Sequence, residues 1–286
     1  MVQFGAFVVP SAENPKATVA EIVRSEALGL DLVGVQDHPY QRRFLETFSL
    51  LAFAAARTQR IRLFPDVANL PLRQPAMLAK AAASIDRLSG GRFELGLGAG
   101  AFWDAIAALG GPRRSGPESV DALVEAIGVI RRWWAGSREH VEGEHYRLQG
   151  ANPGPPPAHE IGIWLGAYGP RMLRVTGELA DGWVPSLPRL PRDEVPERRA
   201  RIDAAAERAG RDPAAIAGIA NVNGTIRDGG APAAWLDGPA EHWIEELAAL
   251  AAEQRFTGFV LWSDGGPEQL ERFAAEVAPG VRRALG

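Results

Sequence analysis

The sequence predicts an α/β protein folded as a (β/α)8 TIM barrel, with loop insertions at the C-terminal face of its strands. Three observations carry this expectation. Strand-like apolar runs alternate with longer helical patterns from one end of the chain to the other, the signature of βα units around a parallel sheet. Eight such pairs can be counted in the sequence, which favours a closed barrel over an open doubly wound sheet. The 286 residues also fall within the length that α/β barrels occupy as one domain, so residues 1–286 are read as a single barrel domain.

In chain order, strands are expected at residues 3–9, 32–36, 61–68, 93–98, 161–166, 182–185, 216–226 and 257–262. Helices are expected between them, at 17–28, 48–56, 76–88, 120–134, 171–180, 194–209, 239–254 and 268–277, where apolar residues recur at helical spacing. A short helix-like segment at 103–109 follows the fourth strand. Two stretches depart from a minimal barrel: a polar hairpin-like piece at 140–146 leading into a proline-rich loop at 152–157, and a glycine- and proline-rich stretch at 228–238. Both read as surface loops, because the strand-helix rhythm continues on either side.

Composition narrows the function. The net charge is −4 and the basic residues are scattered, which argues against nucleic acid as a partner. The chain has no cysteine, so disulfides, thiol nucleophiles and thiolate metal sites are excluded. No apolar run approaches the length of a membrane span, and the chain enters its first strand without a basic leader, so a cytoplasmic protein is expected. His140 and His145 with Glu142 and Glu144 match no tight metal-ligand spacing, and no metal is expected. Nucleophile elbows and phosphate-binding P-loops are absent from the sequence.

In such a barrel the working groups sit at the C-terminal ends of the strands. The fourth strand runs into Gly96, Gly98 and Gly100, where backbone can approach a ligand closely. Gly96 to Ala101 also satisfies the dinucleotide pattern G-x-G-x-x-A, but three strand-helix units precede it, whereas that fingerprint normally opens the first. The second strand exits into Asp37-His38-Pro39-Tyr40, placing a proton-shuttling histidine beside a carboxylate. The third exit carries Asn69 within a path bent by Pro65, Pro71 and Pro75, and the Asn69 side chain can hydrogen-bond the edge of a heteroaromatic ring. The fifth exit, Ala167-Tyr168-Gly169-Pro170-Arg171, starts a helix at a proline and so leaves N–H groups free for a phosphate. Asp181-Gly182-Trp183 and Trp262-Ser263-Asp264 offer aromatic walls at the sixth and eighth exits. A site with glycines, a helix start, a histidine and aromatic walls but no nucleophile suits a cofactor that carries the difficult chemistry itself.

These residues resemble the bacterial luciferase-like, flavin- or F420-dependent oxidoreductases. The likeness rests on Asp37-His38, on the run from Asn69 to Pro75, on Asp86 to Gly100, on Gly166 to Met172 and on Ala180 to Trp183, in that order along nearly the whole chain. It implies reduced FMN or the deazaflavin coenzyme F420 at the barrel mouth, with a lean to F420. It further implies a bulge at Asp66-Val67 with a non-proline cis peptide against the ring, and binding of the ribityl and phosphate groups by Gly98, Gly100 and the Ala167-Tyr168-Gly169 turn. His38 would face the reactive side of the ring, and a homodimer is expected. The chain departs from the family where many relatives have a glutamate: Ala105 stands there, with Asp104 as the nearest acid. The competing expectation is a barrel lyase or isomerase acting on a phosphorylated small molecule. It lacks a lysine at any strand end, since the only lysines, Lys16 and Lys80, lie in helical patterns.

Overall fold

The computed structural model describes residues 1–138, 140–263 and 265–286. Its strands are β1 (Gln3–Val8), β2 (Leu32–Val35), β3 (Arg62–Pro65), β4 (Ala68–Asn69), β5 (Leu95–Gly98), β6 (Val141–Glu142), β7 (Arg147–Leu148), β8 (Ile163–Leu165), β9 (Gly182–Trp183), β10 (Ala217–Val222), β11 (Thr225–Arg227), β12 (Asp237–Pro239) and β13 (Gly258–Leu261). The helices are α1 (Pro15–Ala27), α2 (Thr47–Arg57), α3 (Pro75–Ser89), α4 (Trp103–Ala108), α5 (Gly116–Trp134), α6 (Pro170–Leu179), α7 (Val195–Arg208), α8 (Ala240–Gln254), α9 (Pro267–Arg272) and α10 (Ala278–Leu285). Each helix expected from the sequence is present with ends shifted by a few residues. The last extends through a π-helical turn at Phe273–Val277 into α10.

Nine strand segments form one parallel sheet in the order β3-β2-β1-β13-β10-β9-β8-β5-β4. Its two end segments, β3 and β4, are halves of a single barrel strand interrupted at Asp66-Val67. The ring closes where Leu63 of β3 bridges to Phe93, with Leu63 N donating to Arg92 O and Glu94 N donating to Leu63 O. The expected strand at 61–68 is thus broken by a bulge whose Asp66-Val67 peptide is cis, as the resemblance implied. The expected strand at 216–226 is also two strands. Gly224 separates them, and a methyl group there would lie 1.8 Å from Leu236 O, so the chain turns to pair β11 with β12. The 140–146 piece is an antiparallel hairpin of β6 and β7.

Two apolar layers result. One lies between sheet and helices; the other fills the barrel with Phe7, Leu32, Phe64, Trp164, Val184, Ile219 and Val260. β5 sends Leu95 and Leu97 outward and contributes only Gly96 and Gly98 to the inside, following the alternation of a strand. α3 ends at Gly90 in the left-handed conformation (φ +73°), the usual use of glycine just past a helix. At the opposite, N-terminal face, His159 Nδ1 pairs with buried Asp86 at 2.7 Å and its Nε2 with buried Glu94 at 3.3 Å. Asp86 also accepts from the Ala158 and His159 amides. That network ties the proline-rich loop to the barrel floor, the face where barrels keep stability rather than chemistry.

Candidate active site

The C-terminal ends of the strands surround a cavity of about 430 Å3, within the size range of small-molecule sites. Of the residues expected from the sequence, Asp37, His38, Asp66, Val67, Asn69, Gly98, Gly100, Tyr168 and Gly169 line it, while Ala167 does not. The Ala167 side chain is buried in the outer layer, and its carbonyl accepts from Trp183 Nε1 at 2.9 Å.

His38 follows β2 and hydrogen-bonds through Nδ1 to Tyr40 Oη at 2.6 Å, with the Phe102 ring edge-on at 5.6 Å. Burial pushes the imidazole below its usual pKa, and Arg189 adds to this while Asp37 opposes it. Burial likewise raises the Tyr40 hydroxyl to about 12, so both rings are uncharged near neutrality. Asp37, 3% exposed, has both oxygens engaged. Arg73 reaches them with Nε at 3.0 Å and Nη2 at 2.8 Å, and Asn69 N donates at 2.8 Å. The arrangement makes Asp37 a brace joining the second and third strand exits, because three donors from the third exit hold its two oxygens.

The bulge forms the floor. Val67 is accommodated by glycines on two neighbouring strand ends: a methyl group at Gly98 would meet Val67 Cγ2 at 2.9 Å, and one at Gly166 would meet it at 3.1 Å. A methyl group at Gly96 would lie 2.1 Å from Pro65 O, and at Gly100 (φ +107°) 2.6 Å from Pro71 Cγ. Of the glycines singled out for closeness to a ligand, Gly96 and Gly98 therefore first admit the chain's own bulge, and Gly100 admits Pro71 and Trp103. Asp66 accepts from Asn221 Nδ2 at 3.1 Å through Oδ1, while its Oδ2 is buried without a partner. Burial raises this carboxyl to about 7, with the Asn221 hydrogen bond opposing. Asn69 Oδ1 is a second buried oxygen without a partner.

At the rim, Tyr168 Oη accepts from Ser186 N at 2.8 Å, and Gly169 precedes α6 without any side-chain cap. The α5 start contributes Gly116 and Ser119. Other sequence expectations move. Asp181-Gly182-Trp183 is not an exit: Gly182 and Trp183 are β9 itself, Trp183 is wholly buried, and Val184 and Ser186 line the cavity instead. Arg171 packs α6 on α5 through Asp121 and Pro117 O. Trp262 does wall the cavity, against Phe7 at 5.3 Å, whereas Asp264 lies outside the described residues. Asp104 pairs with Arg113 on the solvent side of α4 and does not line the cavity. Asn221 and Ser186 escaped the sequence reading. The signal for Asn221 was present, an amide in the middle of the apolar run Gly218-Ile219-Ala220-Asn221-Val222, since a buried polar group in a strand asks for a partner.

Fold and cavity together define a TIM barrel with a cavity of small-molecule size over a bulged third strand. The luciferase-like monooxygenase family model matches residues 1–233, and the chain belongs to that family. An F420-dependent glucose-6-phosphate dehydrogenase of Intrasporangium calvum is 35% identical over 184 residues, 61% of this chain and 55% of that protein. A 5,10-methylenetetrahydromethanopterin reductase of Methanolobus tindarius is 34% identical over 213 residues, 73% of this chain and 61% of that protein. In each case the match spans less than two thirds of the relative. The coenzyme F420 dependent tetrahydromethanopterin reductase from Methanopyrus kandleri shares the fold with a TM-score of 0.82 at 20% identity, covering 97% of this chain and 99% of that one. An F420-dependent secondary alcohol dehydrogenase solved with an F420-acetone adduct gives 0.85 at 19% identity, covering 98% and 99%. The lyase or isomerase expectation finds no support here: these relatives are named as a dehydrogenase and a reductase, and among the described residues no lysine lines the cavity.

Proposed function

We propose that the chain is an oxidoreductase that binds a flavin-type cofactor at the barrel mouth, coenzyme F420 in preference to FMN, and acts on a small organic substrate. The observation that carries this reading is one cavity joining the Asp66-Val67 bulge, His38 and two unpartnered buried oxygens. The residues suit such a group. Val67 presents apolar surface to a flat ring, and Asn69 Oδ1 can accept from a ring N–H. The first amides of α6, which lack intrahelical partners, suit a phosphate beside Tyr168 and Gly169, as does the cavity edge at Gly98 and Gly100. The F420-dependent relatives favour F420; the family's description favours reduced FMN with oxygen as the second reading.

When bound, the cofactor supplies hydride transfer, which no side chain of the cavity performs. His38 holds or delivers a proton at the ring nitrogen that Tyr40 does not engage. Asp37, held by Arg73 and the Asn69 amide, fixes the exit on which His38 stands. Trp262, Phe7 and Val184 exclude water from the reacting face.

The reading includes a cytoplasmic protein acting as a homodimer. Among the described residues, no helix is long and apolar enough to cross a membrane. An apolar groove of about 920 Å3 along α1 and α2, lined by Val19, Val23, Leu50 and the half-exposed Phe53, is the surface offered for pairing. Sedimentation checks it: twice the 30.7 kDa chain mass is expected, and Phe53→Glu is expected to give monomer. Titration with F420 and with FMN, followed by cofactor fluorescence, tests the activity reading. Binding of F420 with a changed emission is expected, and binding of neither overturns it.

A further inference from the structure

Asp66 is the only acidic side chain lining the cavity, among the described residues, that is left without a cation. Its surroundings are built for an uncharged carboxyl. Gly34 on β2 opens the space: a methyl group there would lie 2.8 Å from Asp66 Oδ2. Asn221 on β10 supplies one neutral hydrogen bond to Oδ1 and also reaches Ser186 Oγ at 3.3 Å. The other charged or titratable groups around the cavity are committed elsewhere. Asp37 is held by Arg73, His38 and Tyr40 hold each other, and Tyr168 accepts from the Ser186 amide. Arg189 makes no ion pair or hydrogen bond with Asp66, whose carboxyl is bonded by Asn221 alone among the described residues.

Resting on the function proposed above, we propose that Asp66 enters the cofactor complex protonated, taking one proton from solvent as the ligand arrives, and presents the O–H of its unpartnered oxygen to an acceptor on the bound ring. A ligand seated on the bulge covers what is left open of a residue only 8% exposed, whose Oδ2 is already closed off from solvent, and an ionised carboxylate there has no cation bonded to it. A carbonyl or imine nitrogen on the ring gives the protonated form a partner that the ionised form would repel. The proton balance is simple: the free protein with Asp66 ionised, the ligand and one proton from buffer give a complex with Asp66 neutral. The free carboxyl, raised to about 7 by burial, is half protonated at that pH. Uptake is therefore about half a proton per ligand near pH 7, close to one near pH 8 and close to none near pH 6.

Calorimetric titration with oxidised F420 and with FMN, in two buffers of different ionisation enthalpy at pH 6, 7 and 8, counts these protons directly. For the wild type, the rising uptake is expected, together with a dissociation constant that weakens about tenfold per pH unit above pH 7. Asp66→Asn, the neutral isostere, is expected to bind with flat pH dependence and to lose that uptake; Asp66→Ser serves if the asparagine variant does not fold. Equal uptake in wild type and variant overturns this inference while leaving the function intact. Binding of neither cofactor overturns the function, and this inference with it.

Discussion

Arg73 grips Asp37 with two donors, Nε on Oδ2 at 3.0 Å and Nη2 on Oδ1 at 2.8 Å, while its guanidinium lies over the Phe48 ring at 4.4 Å and also meets Glu46. The third strand's exit is thereby clamped to the second. Arg73→Ala strands a carboxylate that is 3% exposed, and loss of one partner of a buried pair costs about 3–5 kcal/mol. Denaturant unfolding measures it. Arg73→Lys is expected to recover part of the loss, because one ammonium cannot copy the fork.

His38→Ala is expected to lower kcat/KM by roughly 10²–10⁴-fold, the usual worth of a positioned proton-transfer group. Arg189 holds the His38 imidazole down, second among the lowering causes to burial. Removing that positive charge eases protonation, so Arg189→Met is expected to move the acid limb of the rate profile to higher pH. A limb that stays in place separates Arg189 from His38.

Asp66 has a raised folded pKa, so the native state holds its proton where the unfolded chain has released it. Its contribution to stability is complete below the ordinary carboxylate value and disappears as pH rises through about 7. At about 1.4 kcal/mol per pH unit, the rise from 3.8 to about 7 is worth up to about 4 kcal/mol. Unfolding from pH 4 to 8 is expected to show wild-type stability falling relative to Asp66→Asn, with most of the divergence below pH 7. Parallel curves would refute this.

Gly98→Ala places a methyl group 2.9 Å from Val67 Cγ2, and overpacking of this kind costs about 1–3 kcal/mol. Val67→Ala in the same chain makes room, so the double variant is expected to be more stable than the sum of the single losses allows. An additive result would show that the glycine serves only the ligand.

His159→Gln disturbs the Asp86–His159–Glu94 network at the N-terminal face. Stability is expected to fall while cofactor affinity stays within a factor of two or so, because chemistry and anchoring occupy opposite ends of the barrel. Cofactor titration beside thermal unfolding separates the two effects.

Much of this was legible because strand and helix periods are local. Apolar runs such as Leu32 to Val35 and the glycine-terminated α3 announce themselves in a few residues, and eight repeats leave few architectures open. His38 and Asn69 could be singled out because barrel function concentrates at strand exits, and both line the cavity. What stayed hidden depends on distant partners. Nothing near Gly98 says that Val67, thirty-one positions earlier, fills the space above it. Nothing near Asp37 says that Arg73 binds both its oxygens. Asp181 and Trp183 were placed at an exit because a two-residue strand is too short for its ends to be read from propensity.

The ring of strands is joined through the floor of its own cavity. The segments at the two ends of the sheet, β3 and β4, belong to one strand, and the interruption between them is the bulge under the cavity. Closing the cylinder and shaping the pocket are therefore a single structural event. Variation that retunes ligand preference has free rein in the loops beyond the strand ends. At residues 62–69 it cannot be separated from the integrity of the barrel wall, and directed evolution of this scaffold should treat that stretch as the hinge pin and diversify around it.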